Sequence, residues 1–409
     1  MRLLIILAIL AVLSAIPVYA QEQEPNKILI NSQDWKDVYS VMLYSSLTER
    51  NAVFLVSDRH SSIILNSVPA QSHVWIVNSQ TPFVTGFGSY ARSQGYTAEE
   101  FTYQNINIEY ARQYDTTKFI IVDDSYGYNA ISVAPYAKIS NSFVLFADSG
   151  NINEIADLLE EKSATDVLIY GHVDREVLDA LLQYNPEVIN IDGDRFANNV
   201  EIVKKYVQIS GAKQAILTNG EFIESAFFSG REPVIFIGVN NVPDVTREYV
   251  RDSGITVGVL IGNELVNTAT FIRRQIGISV FVKFAQSARS SDSAISQVEA
   301  LDMFYMPKYS LNLALETVTY NSASSQLEVT YSNRADQAAY LKGSFTISDA
   351  DGSRQTIGDI DSAFIEGNGY RTIAYDIEPI DVNGAGVDAF VVYGESRNSL
   401  ERTIEAFFK

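Results

Sequence analysis

Short apolar segments alternate with amphipathic segments over the first two thirds of the 409-residue chain. The apolar segments, such as "KFIIV" at 118–122, are rich in β-branched and aromatic residues. Such runs are typical of parallel strands that are covered on both faces. The segments between them, such as "NINEIADLLEEK" at 151–162, space their apolar residues three and four apart and predict amphipathic helices. The alternation predicts an α/β fold with parallel sheets.

This order of strands and helices occurs three times, with a period of roughly 90 residues. In the first two repeats the helix after the first strand aligns without a gap, so that residues 37–41 match 129–133 and Tyr44 matches Tyr136. The third repeat is shorter and keeps only the start of that helix. We therefore predict three tandem, small, Rossmann-like parallel-sheet repeats, at 27–117, 118–211 and 212–290.

The periodicity changes after the third repeat. Residues 291–308 are Ser-rich and polar before an aromatic patch, and we predict a linker with one short helix there. From 309 to 409 the pattern has a period of two, with about seven short strands separated by turns such as Asp351-Gly352 and Asn383-Gly384. This spacing predicts an all-β immunoglobulin-like sandwich without the cysteine pair of antibody domains.

The first twenty residues predict a secretory signal peptide. They combine Arg2, a short apolar run and a small-residue end at Ala20, after which we expect cleavage. An uncleaved anchor is the alternative, although the apolar run is shorter than the about 20 residues that span a bilayer. No second such segment follows, so we expect an extracellular, cell-surface protein whose mature chain has no transmembrane anchor.

Composition narrows the possible partners. A net charge of -20 and a pI of about 4.6 argue against nucleic acid, because binding phosphates requires clusters of Lys and Arg. The chain has no cysteine, which excludes disulfides, thiolate nucleophiles and Cys-ligated zinc. Without disulfides, the folded protein must be stabilised by the packing of its side chains.

Motifs for cofactors and metals are missing from the sequence. No glycine fingerprint follows the first strand of any repeat, and there is no Walker lysine or His-Glu-x-x-His pattern. The "DADG" segment at 349–352 lacks the further ligands of a calcium loop, so a hairpin turn explains it better. We therefore predict no cofactor and no metal.

Polar residues follow the first strand of each repeat, and they have two interpretations. Ser32 or Asp34 can cap the helix that follows, which is the simpler one. Alternatively, these residues lie at the carboxyl ends of parallel strands, where α/β sheets bind ligands, and form a polar rim. His172 follows an inner strand and can face the same rim. These rim candidates are Asn31, Ser32, Asp34, Asp123, Asp124, His172, Asn219 and Glu221.

The repeated order of motifs over residues 27–290 resembles the cell-wall-binding repeat 2 family. The likeness is carried by the helix starts "DWKDVYSVML" and "GYNAISVAPYA", the inner strand "VLIYGH" and the "DGDRFANN" segment at 192–199. The resemblance implies a non-catalytic module whose three copies pack as a pseudo-trimer and anchor a protein to cell-envelope polymer. It also adds Asp194 and Arg195, which match the family's Asp-Arg-aromatic motif, to the rim candidates.

These features together lead to one functional hypothesis and two alternatives. We expect a non-enzymatic secreted protein that anchors to, or forms part of, a surface layer (S-layer), with a cell-envelope glycan or a surface-layer protein as its partner. The first alternative is an extracellular solute- or glycan-binding receptor with two lobes. The second is a secreted hydrolase, which requires convergent titratable groups in a deep pocket, and contact of His172 with both a carboxylate and a serine hydroxyl would indicate it.

Overall fold

The computed structural model describes residues 27–289 and 298–409. The predicted signal peptide lies outside these ranges, as does most of the Ser-rich part of the predicted linker. The described residues form three four-stranded parallel sheets followed by antiparallel sheets, which is a mixed α/β fold. None of the described helices is both long and apolar enough to cross a bilayer.

The first unit begins at Lys27. Its elements are β1 (Lys27–Asn31), α1 (Trp35–Leu47), β2 (Ala52–Phe54), α2 (Ser61–Asn66), β3 (His73–Asn78), α3 (Phe87–Ser93), β4 (Thr97–Thr102) and α4 (Ile106–Gln113). The strands form one parallel sheet in the order β2-β1-β3-β4. Ile28, Leu29 and Ile30 of β1 are fully buried, because helices cover both faces of the sheet.

The second unit has the same construction. Its elements are β5 (Lys118–Val122), α5 (Tyr128–Ser140), β6 (Phe143–Phe146), α6 (Ile152–Glu161), β7 (Asp166–Tyr170), α7 (Arg175–Leu181), β8 (Glu187–Ile189) and α8 (Arg195–Ser210). The parallel sheet has the order β6-β5-β7-β8, so its strands succeed one another as in the first unit.

The third unit keeps the sheet but loses the first helix. Its elements are β9 (Gln214–Thr218), β10 (Phe222–Ile223), β11 (Val234–Phe236), α9 (Asp244–Asp252), β12 (Val257–Ile261), α10 (Ala269–Ile276) and β13 (Ser279–Lys283). The parallel sheet has the order β11-β9-β12-β13, which again matches the first unit. Where the other units have a helix after the first strand, this unit has β10 and a 3-10 turn at Ser225–Phe228.

The helices that follow the first strands meet one another. Tyr39 of α1 is buried, and its hydroxyl donates to the Ala130 carbonyl of α5 at 2.8 Å. The same ring packs edge-on against Phe228 of the 3-10 turn, with centroids 5.1 Å apart. Each of α1, α5 and the turn therefore contacts the other two.

A buried asparagine joins the first unit to the second. Asn107 of α4 donates to the Ser40 hydroxyl of α1 and to the Val144 carbonyl of β6, both at 2.9 Å. Its side-chain oxygen accepts from the Phe146 amide at 3.2 Å. One side chain thus ties its own unit to the edge strand of the next, and it satisfies both backbone groups there.

The same contact recurs between the second and third units. Asn199 of α8 donates to the Ser132 hydroxyl at 2.7 Å and to the Val234 carbonyl at 3.0 Å. It accepts from the Phe236 amide at 2.8 Å. The repeat therefore extends beyond strand order to one specific side-chain contact at equivalent positions.

The contact of the third unit with the first is built differently. The chain continues through β14 (Ser287–Arg289), β15 (Val298–Ala300) and β16 (Phe304–Tyr305), which pairs with β10. The Phe304 ring then packs edge-on against Phe54 and Phe83 of the first unit, at 6.0 and 6.3 Å. The described part of the segment predicted as a linker is thus packed in strands, because its aromatic patch buries apolar surface.

The C-terminal region, residues 309–409, is antiparallel. Its strands are β17 (Leu313–Asn321), β18 (Gln326–Asn333), β19 (Ala339–Ser348), β20 (Arg354–Gly358), β21 (Ala363–Ile365), β22 (Tyr370–Asp376), β23 (Gly386–Gly394) and β24 (Arg402–Phe408). One sheet has the order β17-β18-β22 and the other β20-β19-β23-β24, and they share an apolar core. The "DADG" segment is a hairpin turn between β19 and β20, as predicted.

Replacing Asn107 by alanine should destabilise the protein by about 1–3 kcal/mol, since the Val144 carbonyl and the Phe146 amide lose their buried partner. Urea unfolding followed by circular dichroism measures the change. Asn153→Ala, at an exposed position on α6, is the matched control and should leave the midpoint nearly unchanged. Equal midpoints for the two variants would contradict the structural role of Asn107.

Candidate functional site

The start of α8 holds a loop of the C-terminal region. Asp194 caps the helix by accepting from the amides of Phe196 and Ala197, at 2.9 and 3.1 Å. Its second carboxylate oxygen accepts from the hydroxyls of Ser396 and Ser399, both at 2.6 Å. One buried carboxylate therefore serves two purposes, capping the helix and anchoring the loop between β23 and β24.

The neighbouring residue, Arg195, is a buried cation between two carboxylates. Its Nε lies 2.6 Å from Glu395, and its Nη2 contacts Glu401. The guanidinium also lies over the Tyr128 ring, 4.0 Å from the centroid, and 4.7 Å from that of Phe196. Both carboxylates belong to the C-terminal region, so both ion pairs of Arg195 depend on the docking of that region on the second unit.

Negative charge exceeds positive charge in this cluster. Burial opposes the charge of Arg195, but the attraction of Glu395 and then of Glu401 raises the pKa of the guanidinium. Burial raises the pKa of Glu395 to about 7, the charges of Glu401 and Asp194 act in the same direction, and Arg195 opposes them. Burial therefore outweighs the attraction of Arg195, and Glu395 binds a proton near neutral pH.

A cavity of about 470 Å³ opens beside this cluster. Its volume lies within the range of about 300–1,000 Å³ typical of ligand sites. Four tyrosines line it, Tyr126 and Tyr128 from the second unit and Tyr309 and Tyr340 from the C-terminal region. The Tyr128 hydroxyl accepts from the Tyr309 amide at 2.9 Å, which joins the two walls.

Polar side chains complete the lining. The cavity is lined by the carboxylates of Asp123 and Asp192, the amides of Asn129, Asn198 and Asn398, and the His172 imidazole. Asp123 accepts from the Ser125 amide at 2.9 Å and from the Asn129 side chain at 3.1 Å. Burial raises the pKa of Asp123. The arrangement combines flat aromatic rings with hydrogen-bonding groups of both kinds, which suits a polar ligand with apolar faces.

Four of the rim candidates meet at this cavity, namely Asp123, His172, Asp194 and Arg195. His172 is exposed, and within the described residues it contacts neither a serine hydroxyl nor a carboxylate. No group of three or more His, Asp or Glu side chains in the described ranges is placed to hold a metal ion.

The candidates of the first unit lie elsewhere and hold their own unit together. Asn31 is fully buried and donates to Asn78 at 2.8 Å and to the Val84 carbonyl at 2.7 Å. Asp34 caps α1, accepting from the Lys36 amide at 2.8 Å, as the simpler interpretation predicts. Ser32 is buried and donates to Asp37 at 2.9 Å. Burial, followed by the charge of Asp34, raises the pKa of Asp37 to about 6.

The remaining candidates also pair within the protein. Asp124 forms an ion pair with Lys36 at 2.9 Å, which connects the first two units. Asn219 donates to Glu264 at 3.0 Å, and Glu221 pairs with Lys308 at 3.1 Å. Four of the ten candidates therefore line the cavity, and Asn219 lies against one of them, because its backbone carbonyl accepts from Arg195 at 3.4 Å.

The sequence did not indicate the residues that the C-terminal region adds to the cavity. Tyr309 and Tyr340 lie in a region whose pattern predicts strands and gives no sign of a binding site. The loop residues Glu395 and Ser396 are separated from Arg195 by about two hundred positions. No local pattern connects them. The charge pattern is a signal that could have suggested the contact, because the loop carries acidic residues and the motif carries an arginine.

The comparisons with known proteins are weak. No protein family and no curated protein matches the chain. OgpA from Akkermansia muciniphila is similar over 94% of this chain and 91% of its own, with 9% identity and a TM-score of 0.17. The β-glucuronidase from Bacteroides uniformis is 14% identical over 24% of this chain and 12% of its own, with a TM-score of 0.15. The E. coli curli protein CsgC is 10% identical over 24% of this chain and 98% of its own, with a TM-score of 0.15. We draw neither fold nor function from these likenesses.

Arg195→Met should destabilise the protein by about 3–5 kcal/mol, because it leaves Glu395 and Glu401 buried without their cation. Denaturant unfolding measures the loss. Arg175→Met removes an exposed pair with Asp179 and should change stability by less than about 1 kcal/mol. Adding E395Q and E401Q to Arg195→Met should recover part of the loss. Similar stabilities for the two single methionine variants would argue against the buried cluster.

Glu395→Gln should flatten the dependence of stability on pH. The native pKa of Glu395, about 7, lies above its ordinary value of 4.5, so the native state binds this proton more tightly than the unfolded state. The contribution to stability is complete below 4.5 and is lost as pH rises through about 7. The loss amounts to about 3 kcal/mol, at about 1.4 kcal/mol for each pH unit between the two values.

Urea unfolding at a series of pH values compares wild type with Glu395→Gln and with the control Glu405→Gln, at an exposed position. We expect the control to follow the wild-type curve. Parallel curves for wild type and Glu395→Gln would show that Glu395 does not titrate in this window.

Proposed function

We propose that the protein is a non-enzymatic, secreted cell-surface protein that binds a glycan of the cell envelope. The observation that carries the proposal is the cavity between the second unit and the C-terminal region, lined by four tyrosines together with amides and carboxylates. Aromatic faces pack against the apolar faces of sugar rings, and amides and carboxylates bond to sugar hydroxyls. The resemblance of the repeats to wall-binding modules supports the same class of ligand.

The proposal includes a finer architecture. We infer that the three units are arranged as a pseudo-trimer and that the C-terminal region is an immunoglobulin-like sandwich acting as a spacer or lattice contact in a surface layer. Support comes from the shared strand order of the three sheets, from the equivalent contacts of Asn107 and Asn199, and from the mutual contact of α1, α5 and the 3-10 turn.

The acidic side chains beside the cavity, Asp194 and Glu395, already have partners within the protein, which favours binding over catalysis. Asp194 is occupied by helix amides and serine hydroxyls, and Glu395 is paired with Arg195. A serine hydrolase would need a histidine that contacts both a serine hydroxyl and a carboxylate. His172, the only histidine at the cavity, is exposed and has no such contact among the described residues.

Pull-down with fractionated cell envelopes tests the proposal. We expect a polysaccharide-containing fraction to retain the protein, and periodate oxidation of that fraction to abolish retention. Because the net charge is -20, retention that disappears with a chelator would identify an anionic polymer bridged by divalent cations.

Tyr126→Ala, which truncates a cavity tyrosine, should weaken retention about tenfold. Tyr370→Ala, at a position that is 76% exposed and outside the cavity, is the matched control and should bind as wild type does. The proposal fails if no envelope fraction retains the wild-type protein, with or without chelator.

A further inference from the structure

A second depression lies against the other side of the loop that Asp194 and Arg195 hold. This groove, of about 650 Å³, separates the third unit from the C-terminal region. Asp244, Arg247 and Gln275 line one wall, and Lys342, Ile360 and Phe390 line the other. The Ile360 side chain is 88% exposed and that of Phe390 41%, so apolar surface is available on a wall that is otherwise polar.

The cavity and the groove share two residues. Arg397 and Asn398 line both, and both are exposed at the tip of the β23–β24 loop. The two depressions therefore adjoin at this tip and form one seam along the boundary between the α/β units and the C-terminal region. Arg397 has no ion-pair partner among the described residues, although the protein is strongly acidic. Its five donors are available to a ligand at the centre of the seam.

The loop that presents these two residues is fixed on both sides. On its N-terminal side Glu395 and Ser396 are held by the second unit. On its C-terminal side the third unit holds it, because the Asn241 amide donates to the Glu401 carbonyl at 3.1 Å and the Asn241 side chain donates to the Leu400 carbonyl at 2.5 Å. The backbone is thus held on both sides of the tip, so ordering of this backbone adds little to the entropy cost of binding.

We propose that this seam binds a linear glycan lengthwise, with one stretch of the chain in the cavity, the next across Arg397 and Asn398, and a further stretch in the groove. The inference rests on the proposed function for the class of ligand and adds that a chain, not a single sugar, is recognised. The cavity and the groove each have the volume of a whole small-ligand site, so one short saccharide occupies only part of the seam.

The test uses a ladder of oligosaccharides, from disaccharide to octasaccharide, prepared by partial hydrolysis of the envelope polysaccharide that retains the protein. Fluorescence anisotropy measures the dissociation constant for each length. For wild type we expect affinity to rise by about tenfold or more along the ladder, because longer chains reach the tip and then the groove.

The double variant R397A/N398A should weaken the binding of long chains more than that of the disaccharide, because both residues line the groove as well as the cavity. Phe390→Ala should lose the gain for long chains while binding the disaccharide as wild type does, since Phe390 lines the groove and not the cavity. The matched controls are Arg175→Ala, an exposed arginine of α7, and Phe407→Ala, an exposed phenylalanine on the neighbouring strand. Both controls should retain the wild-type ladder, and thermal unfolding verifies that every variant is folded.

Three results would overturn the inference while leaving the proposed function intact. They are an affinity that does not change with chain length, a ladder that the R397A/N398A and Phe390→Ala variants do not alter, and equal weakening of short and long chains by R397A/N398A. If protease treatment of the envelope fraction removes binding and periodate does not, the partner is a protein. That result, or the absence of retention by any fraction, overturns both proposals.

Discussion

The relation between the two parts of the protein depends on one buried guanidinium. A charge removed from water is tolerated only when opposite charges and aromatic faces replace its hydration. The second unit supplies Arg195 and the Tyr128 ring, and the C-terminal region supplies Glu395 and Glu401. Neither part supplies both charges of these ion pairs. The walls of the cavity therefore come together only in the docked state, which makes the candidate site a property of the interface.

The α/β part follows a different principle, in which one small unit is copied and its copies are joined by equivalent contacts. Its sheets are stabilised by burial, because their strands are apolar on both faces. Its interfaces are stabilised by hydrogen bonds, because Asn107 and Asn199 satisfy the backbone groups of an edge strand. An edge strand of an isolated unit has unpaired backbone donors and acceptors. In this protein those groups bind the asparagine of the preceding unit.

The three sheets and the antiparallel region could be predicted because the periods of strands and helices are local properties of the chain. The cap at Asp34 could be predicted for the same reason, since it needs only the residues of the next helical turn. The cavity could not. Arg195 was recognised through a motif, but its partners come from a loop far along the chain, and only tertiary contacts select them. The packing of the aromatic patch at Phe304 is likewise not predictable from the sequence, because the polar residues before it dominate that stretch and favour a linker.

The packing of Phe304 on the first unit has a consequence for how the chain assembles during synthesis. The first and second contacts between units use residues that emerge from the ribosome soon after one another. The third contact uses an aromatic ring that emerges about 250 residues after its partner Phe54. The Phe54 and Phe83 rings can therefore be covered by Phe304 only after all three units have been synthesised.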